Sequence, residues 1–456
     1  MMQSFLSRAL LPSVFLVGAL AFPGMSAGCT SAETLPGGSS STGGGSGGAA
    51  SCVPTTGGMV APVVPWSRGF DLQVSGATTD RDADVILGAG FNDPALDLGL
   101  GKLHGAETGG DVVAKFSPSG QILWNRSWDG PSAPVVATDA CGNVFVARSP
   151  AADPTADPKA AKRSLVVAKL DGEGHELWQH AFHLEPRIQV TRILITAEGD
   201  AIMLGSYQGL IELGKDVLSS PTTLTPFLAA FRGSTGETLW NVDVKTDGPI
   251  GVGLSSVGEI VVAGHFSRVG NSAVPAGAGS AGSLDVARLS AEGAVQSFAH
   301  TGAAAPFDAV RIAVSPQGDV GAAGLCPVQG SETGHEWCMT RFPASGAAAA
   351  QQIIAHEPLN PASAQVAFDP QGNLLLLTDE LDPSGPNHLH LATMSPDGAI
   401  VQAHDWPTTG GVTPISVEVD PAGGVVFTAV VGVIGGAAID VGNGPISPGI
   451  VARIAP

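Results

Sequence analysis

The chain repeats one pattern about every 50–60 residues, and each copy contains four strand-like segments. Residues 112–124, 166–178 and 228–240 share an apolar run, a Gly turn and a final Trp. Residues 310–324 and 364–378 are copies of the other half of the unit. A repeat of this length with four short strands is typical of a β-propeller blade. We therefore predict an all-β fold, a β-propeller of four-stranded antiparallel blades.

Counting the strands of each unit, named A to D in chain order, predicts seven blades. The B strands are predicted at residues 85–90, 144–148, 201–205, 260–264, 320–324, 374–378 and 425–430. The C strands begin near residues 111, 165, 227, 284, 338, 388 and 449. Only six D strands follow them, near residues 122, 176, 238, 295, 351 and 400, because the chain ends after the seventh C strand.

The missing D strand is predicted at the other end of the chain. The segment from Trp66 to Asp71 repeats the pattern Trp-x-Arg-x-aromatic-Asp that is found from Trp124 to Asp129. An N-terminal strand in the last blade would close the ring and remove an exposed sheet edge. We therefore expect residues 63–456 to form one seven-bladed propeller, and a single closed ring predicts a monomer.

The charge and composition exclude two classes of ligand. The formal net charge of −20 argues against nucleic acid, which requires a basic surface. Aromatic residues make up 5% of the chain, too few for a broad sugar-stacking surface. No motif for a cofactor is present, and the partner that remains is a protein or an extracellular polymer of unidentified type.

The first 62 residues predict export. Arg8 precedes a short apolar run, and small residues from Ser26 lead to Cys29. The segment resembles a bacterial lipobox, which implies removal of residues 1–28, lipidation of Cys29 and attachment to the outer membrane or cell surface. Residues 29–62 are rich in Gly and Ser, which predicts a flexible tether. Ordinary secretion to the periplasm or medium is the alternative.

The other four cysteines suit an oxidising compartment. Cys326 ends one predicted strand and Cys338 begins the next, so that a hairpin would bring them together. We predict this disulfide and, from the remaining pair, Cys52–Cys141; buried free thiols are the alternative.

Two groups of side chains invite a metal-site interpretation. Asp80, Asp82 and Asp84 alternate like a calcium loop, but the Gly and Glu that such a loop requires are missing, which favours a structural turn. His388 and His390 share one face of a predicted strand without an evident third ligand. Three further histidines recur near the ends of D strands and would lie on different blades: His300, His356 and His404.

The units resemble the bacterial β-propeller repeat abbreviated SBBP. The resemblance covers residues 64–456 and is clearest in 139–146 with 166–178, and in 110–124. It implies the fold and export, and it transfers no catalytic residues. The Gly-x-x-Leu-Trp segments also resemble pyrroloquinoline-quinone-type propellers, including an outer-membrane assembly lipoprotein.

The variable B–C loops are the predicted binding surface, because rigid scaffolds present binding residues on loops. In a propeller the B–C and D–A loops share one face. We expect a surface-anchored, non-catalytic scaffold that binds a protein or polymer through this face. The alternatives are a propeller hydrolase or lyase with an acidic site at the channel mouth, and a component of an envelope assembly.

Overall fold

A computed structural model describes residues 63–455, with gaps at 94, 106–108, 131, 151–162, 215, 276–282, 302–307, 328–334, 348, 356–363, 381–385, 433–437, 443 and 447. All regular structure in these ranges is β-strand, without a helix. No helix capable of crossing a membrane is therefore found in this part of the chain. Cys29 and Cys52 lie outside the described residues.

The strands follow the predicted order closely. The first half of the chain contains β1 Trp66–Phe70, β2 Gln73–Thr79, β3 Val85–Phe91, β4 Gly110–Phe116, β5 Ile122–Asp129, β6 Val135–Thr138, β7 Val144–Arg148, β8 Arg163–Leu170, β9 Glu176–Ile195, β10 Ala201–Leu213, β11 Asp216–Phe231 and β12 Thr238–Leu254.

The second half contains β13 Ile260–Val269, β14 Ser272–Ala273, β15 Asp285–Leu289, β16 Val295–His300, β17 Asp308–Val314, β18 Val320–Pro327, β19 His335–Phe342, β20 Ala350–Ala355, β21 Gln365–Phe368, β22 Leu374–Glu380, β23 Asn387–Met394, β24 Ile400–Thr408, β25 Val412–Val419, β26 Val425–Val431, β27 Ile439–Asp440, β28 Pro445–Ile446 and β29 Gly449–Ile454.

These strands form antiparallel sheets built from four-stranded units. Three sheets have four strands each, in the orders β2-β3-β4-β5, β17-β18-β19-β20 and β1-β29-β26-β25. A fourth runs β21-β22-β23-β24 and is extended by the short strands β27 and β28. The fold is therefore all-β and propeller-like, as the repeat predicted.

The remaining sheet has 11 strands: three units share two strands, which gives ten, and the short strand β14 pairs with β13 as the eleventh. Residues 176–184 of β9 pair with β8, whereas residues 185–195 pair with β10. In the same way, β12 pairs first with β11 and then with β13. Separate D and A strands joined by a loop were expected at both places. Instead the chain continues in extended form from the outer edge of one unit to the inner edge of the next.

The predicted pairing of the N-terminal strand is confirmed. Strand β1 lies antiparallel to β29, with Trp66 opposite Arg453 and Phe70 opposite Gly449. The Trp66 ring packs against Phe116, with 5.8 Å between ring centroids. It also covers Gly120 so closely that an added Cβ would lie 2.7 Å from Trp66 Cδ2. The first strand therefore joins the last sheet to the unit formed by β2–β5.

The same Trp–Gly contact recurs between successive units. Trp124, Trp178 and Trp240 pack on the C–D turn glycines of the units that follow theirs. Each indole also donates to a carbonyl there, at 2.8 Å from Trp124 to Gly172 and 2.7 Å from Trp240 to Ala291. This packing between neighbouring units explains why the three positions carry Trp.

Apolar side chains fill the space between neighbouring sheets. One such cluster joins Ile86 and Val113 of one unit to Val144, Val146 and Leu170 of the next. Burial of apolar area at about 25 cal/mol per Å² makes these contacts the main stabilising term of the fold.

The disulfide predicted between Cys326 and Cys338 is confirmed, with 5.8 Å between the Cα atoms. It joins β18 to β19 within one unit. Cys141 is also disulfide-bonded. Its predicted partner Cys52 lies outside the described residues, so that this pairing stays a prediction.

Candidate functional site

A cavity of about 910 Å³ is lined by a segment of the A strand of each of seven units, together with residues of β7, β10 and β11. The lining residues include Ser75 of β2, Val135 of β6, Ile188 of β9, Ile250 of β12, Ile312 of β17, Gln365 of β21 and Ile415 of β25. In these segments each strand pairs on one side only, with the B strand of its own unit. The cavity is therefore surrounded by open sheet edges, which present backbone N–H and C=O groups.

The cavity reaches the end of the units that was predicted to carry the binding surface. Ser149, which directly follows β7, lines it, and so do Ser132 and Ala133 in the connection between β5 and β6. These residues belong to a B–C and a D–A connection. The B–C loop predicted at residues 207–225 is largely a β-hairpin, because β10 and β11 extend through it and leave only a short turn.

Polar side chains of the lining, and Ser416 next to the lining residue Ile415, join neighbouring units. Ser75 Oγ donates to the carbonyl of Pro134 at 2.5 Å, and Gln365 Nε2 donates to that of Pro414 at 3.4 Å. Ser416 Oγ accepts from the backbone N–H of Ala77 at 3.1 Å. These hydrogen bonds stabilise the rim of the cavity, and the side-chain groups that form them already have partners within the protein.

The ionisable groups on the described lining are two arginines, Arg192 of β9 and Arg311 of β17. The sequence-based alternative placed acidic residues at the channel mouth, and the described lining of this cavity does not contain a carboxylate. Arg192 makes no hydrogen bond or ion pair within 4.0 Å with any residue that the structure describes. Burial lowers the pKa of both guanidinium groups. An arginine remains charged nevertheless.

The nearest opposing charge to Arg192 is Glu418 of β25. Burial raises the pKa of Glu418, against the charge of Arg192 and hydrogen bonds from the Thr78 hydroxyl and the Thr79 N–H. The carboxylate is thus held by the neighbouring unit, and no ion pair within 4.0 Å joins it to Arg192 among the described residues. Arg192 therefore keeps hydrogen-bond donors available to the cavity.

A buried carboxylate fixes the rim of the cavity. Asp111 Oδ1 accepts from the N–H groups of Ser132 and Ala133, at 2.5 and 3.0 Å. Ala133 has φ of 54°, in the left-handed region that costs a non-glycine residue about 1 kcal/mol or more. Burial raises the pKa of Asp111, although these hydrogen bonds and the charge of Arg148 oppose the shift. Asp111 therefore holds a strained backbone at the cavity entrance.

The three aspartates of the weak calcium candidate lie in an A–B turn. Asp80 Oδ1 accepts from the N–H groups of Asp82 and Asp84, at 2.9 and 3.0 Å. The ammonium of Lys115 lies 2.8 Å from Asp80 and 3.0 Å from Asp84. Asp82 is exposed beside Arg81. These contacts fit the structural turn. The ammonium of Lys115 lies between the carboxylates, where the calcium hypothesis would place a metal ion.

Sequence reasoning missed the cation that accompanies the turn carboxylate. A Lys or Arg of the C strand pairs with the A–B turn carboxylate in Asp80–Lys115, Asp139–Lys169, Glu259–Arg288, Asp319–Arg341 and Asp420–Arg453. Several of these cations also donate to a carbonyl of the next unit, as from Lys169 to Gly233 at 3.2 Å. The recurring Lys or Arg in the Ala-Lys-Phe and Ala-Lys-Leu segments was the available signal.

The recurring histidines do not form one site. His300 contacts Asp285 at 2.9 Å, and His404 stacks on Trp406 with 5.5 Å between ring centroids. His356 lies outside the described residues. His388 and His390 lie on β23 and are brought close to carboxylates of the neighbouring strands.

No protein-family model matches the chain, and no curated protein matches it. Among solved structures it is similar to puromycin hydrolase, at 14% identity and a TM-score of 0.44 over 80% of this chain and 50% of the hydrolase. A second similar structure is an ulvan lyase bound to a GlcA–Rha3S saccharide. The identity is 11% and the TM-score is 0.42, over 85% of this chain and 94% of the lyase.

A third similar structure is an exotype rhamnogalacturonan lyase. The identity is 12% and the TM-score is 0.39, over 86% of this chain and 72% of the lyase. The chain spans about half the length of the puromycin hydrolases it matches. At these identities and TM-scores, the activities of these enzymes are not carried over to this chain.

Proposed function

We propose that this protein is an exported, lipid-anchored, seven-bladed propeller that binds an acidic peptide segment of a partner protein in the cavity. The observation that carries the proposal is Arg192, a charged donor on the cavity lining that has no hydrogen-bond partner among the described residues. Arg192 is half-buried, and keeping a charge there without a hydrogen-bond partner is unfavourable unless a ligand supplies one. A carboxylate matches the planar fork of a guanidinium in two parallel hydrogen bonds.

The seven-bladed ring is part of this proposal. The A strands of seven units line one cavity, and β1 and Arg453 join the last unit to the first. A ring of this kind would place Arg192 and Arg311 on the inner wall, two units apart, with Glu418 on a third strand of the same wall. The family resemblance to SBBP repeats supports the same arrangement.

The ligand class follows from the size and chemistry of the cavity. A volume of 910 Å³ lies within the roughly 300–1,000 Å³ of ligand pockets. Open strand edges offer backbone hydrogen bonds to an extended peptide, which is a known mode of peptide recognition. The low aromatic content disfavours a sugar polymer, whereas two arginines favour carboxylates.

The test is binding of hexaglutamate by the full chain, purified in detergent and measured by isothermal titration calorimetry. Arg192→Gln and Arg311→Gln should each weaken binding about 10- to 100-fold, the cost of one charge-assisted hydrogen-bonded pair. Arg288→Gln is the matched control, since its partner Glu259 lies in a turn away from the cavity lining. Equal affinity for hexaglutamine, or unchanged binding in both cavity variants, would refute the proposal.

The proposed anchor is tested separately. Mass spectrometry of the mature protein should find a diacylglyceryl group on an N-terminal Cys29, and Cys29→Ala should release the protein from the membrane fraction. A mature N-terminus elsewhere, with no lipid, would instead show ordinary secretion. Residues 29–62 would then be an N-terminal extension without a lipid anchor, and the cavity proposal would be unaffected.

A further inference from the structure

Four side chains with metal-ligating atoms lie on one face of the unit formed by β21–β24. His388 and His390 alternate on β23, so that both point to the same side of the sheet. Glu380 at the end of β22 lies directly opposite His388, and Asp405 on β24 lies directly opposite His390. Directly opposed residues of antiparallel strands share a face. The sequence showed the two histidines, and the register of the sheet adds the carboxylates.

Three of these side chains converge at one point of this face. One ligand atom each from Glu380, His390 and Asp405 lies within 4.8 Å of the other two. His390 Nδ1 and Asp405 Oδ1 are hydrogen-bonded, and the His390 side chain is 9% exposed. Nδ1 of His388 is buried and has no hydrogen-bond partner among the described residues. Such a nitrogen is unfavourable without a partner.

We propose that Glu380, His390 and Asp405 bind a Zn²⁺ ion, with His388 beside the site as a further ligand. Zinc is bound by imidazole nitrogen and carboxylate oxygen at about 2.0–2.2 Å in tetrahedral geometry. Tetrahedral ligand atoms are then about 3.3 Å apart, and small side-chain rotations would bring the three ligand atoms to that spacing.

The ligand set argues for zinc over the harder cations. Calcium and magnesium prefer oxygen ligands alone, whereas this site is built around a buried imidazole. Asp405 and His390 now share a hydrogen bond through His390 Nδ1, and the Zn²⁺ ion would take the place of that proton between the two ligand atoms. By comparison, Asp80 and Asp84 already share the ammonium of Lys115. A bound ion would join three adjacent strands, β22, β23 and β24.

The test is zinc binding by the untagged full chain after treatment with a chelator, followed by isothermal titration calorimetry. We expect one high-affinity equivalent of Zn²⁺, and no comparable binding of Ca²⁺ or Mg²⁺. Glu380→Gln and Asp405→Asn should each lower the affinity by about tenfold or more. Co²⁺ in place of Zn²⁺ should give visible absorption bands that change in His388→Ala.

The matched control is Glu173→Gln. Glu173 belongs to a second group, Asp171, Glu173 and His175, in which the His175 side chain is 75% exposed in a turn. This variant should bind Zn²⁺ as the unchanged protein does. Loss of the high-affinity equivalent in Glu173→Gln, or its retention in both Glu380→Gln and Asp405→Asn with unchanged Co²⁺ spectra, would overturn the proposal.

Discussion

Arg453 Nε donates a hydrogen bond of 2.6 Å to Asp420 Oδ2, and neither side chain is exposed to solvent. Nη1 of the same arginine donates at 2.8 Å to the carbonyl of Pro118, in the C–D turn that follows β4. One side chain therefore stabilises the A–B turn of the last unit and joins that unit to the one formed by β2–β5. Together with Trp66 on Gly120, this contact joins the two ends of the repeat array.

Replacing this arginine should be strongly destabilising. Arg453→Met leaves the Asp420 carboxylate buried without its cation, which we expect to lower the free energy of unfolding by about 3–5 kcal/mol. Arg288→Met is the control, because Arg288 and Glu259 remain 28% and 35% exposed and such pairs contribute about 0–1 kcal/mol. Urea unfolding at pH 7 measures the free energy of unfolding of both variants. Equal decreases in the two variants would contradict the role assigned to Arg453.

The contact between the N-terminal strand and the first C–D turn can be tested with two glycines. Gly120 and Gly346 both occupy C–D turns with positive φ, at 78° and 74°. An added Cβ at Gly120 would lie 2.7 Å from Trp66, whereas at Gly346 nothing lies within 4 Å.

Both Ala variants carry the backbone strain, about 1–2 kcal/mol. Only Gly120→Ala also displaces Trp66, which should add about 1–3 kcal/mol. The difference between the two melting temperatures measures this addition. Identical melting temperatures would mean that β1 does not pack against this turn in solution.

Stability should depend on pH through Asp139. Burial tends to raise the pKa of this carboxyl, but hydrogen bonds from Asn143 and Lys169 and the charge of Lys169 hold it below its usual value. The ionised form therefore stabilises the fold above about pH 4, and the contribution disappears as the pH falls through the lowered pKa.

Asp139→Asn should accordingly cost about 3 kcal/mol at pH 7, since Lys169 loses its buried partner. The difference in the free energy of unfolding between this variant and the unchanged protein should begin to narrow as the pH falls below about 4. Thermal unfolding from pH 3 to pH 8 measures this difference. Asp171→Asn, in an exposed turn without a buried ion pair, is the control, and its gap should be much smaller at every pH. A difference for Asp139→Asn that did not narrow at all between about pH 5 and pH 3 would exclude the ion pair as its cause.

The unpaired arginine of the cavity predicts a conflict between stability and binding. Arg192→Met removes a charge that has no hydrogen-bond partner among the described residues, and we expect a gain of about 0.5–2 kcal/mol in the free energy of unfolding. The same variant should no longer be stabilised by added hexaglutamate. Destabilisation by Arg192→Met would instead indicate that the guanidinium holds the fold through Glu418.

The strand order could be predicted because it depends on local signals. Glycines such as Gly142 and Gly372 mark A–B turns with positive φ, and alternating apolar runs mark the strands between them. The closing strand was also predictable, since the segment from Trp66 repeats the segment from Trp124. The hairpin geometry that follows from these turns placed Cys326 beside Cys338.

The remaining features depend on partners that are distant in the chain. The pairing of Asp420 with Arg453, the surroundings of Arg192 and the convergence of Glu380, His390 and Asp405 are set by sheet register and by packing between units. A sequence read unit by unit gives the period of the repeat. It does not give the rotation between units, which fixes the side chains that meet across them. For this reason, the fold could be predicted from the sequence, whereas the side chains that line the cavity could be identified only from the tertiary structure.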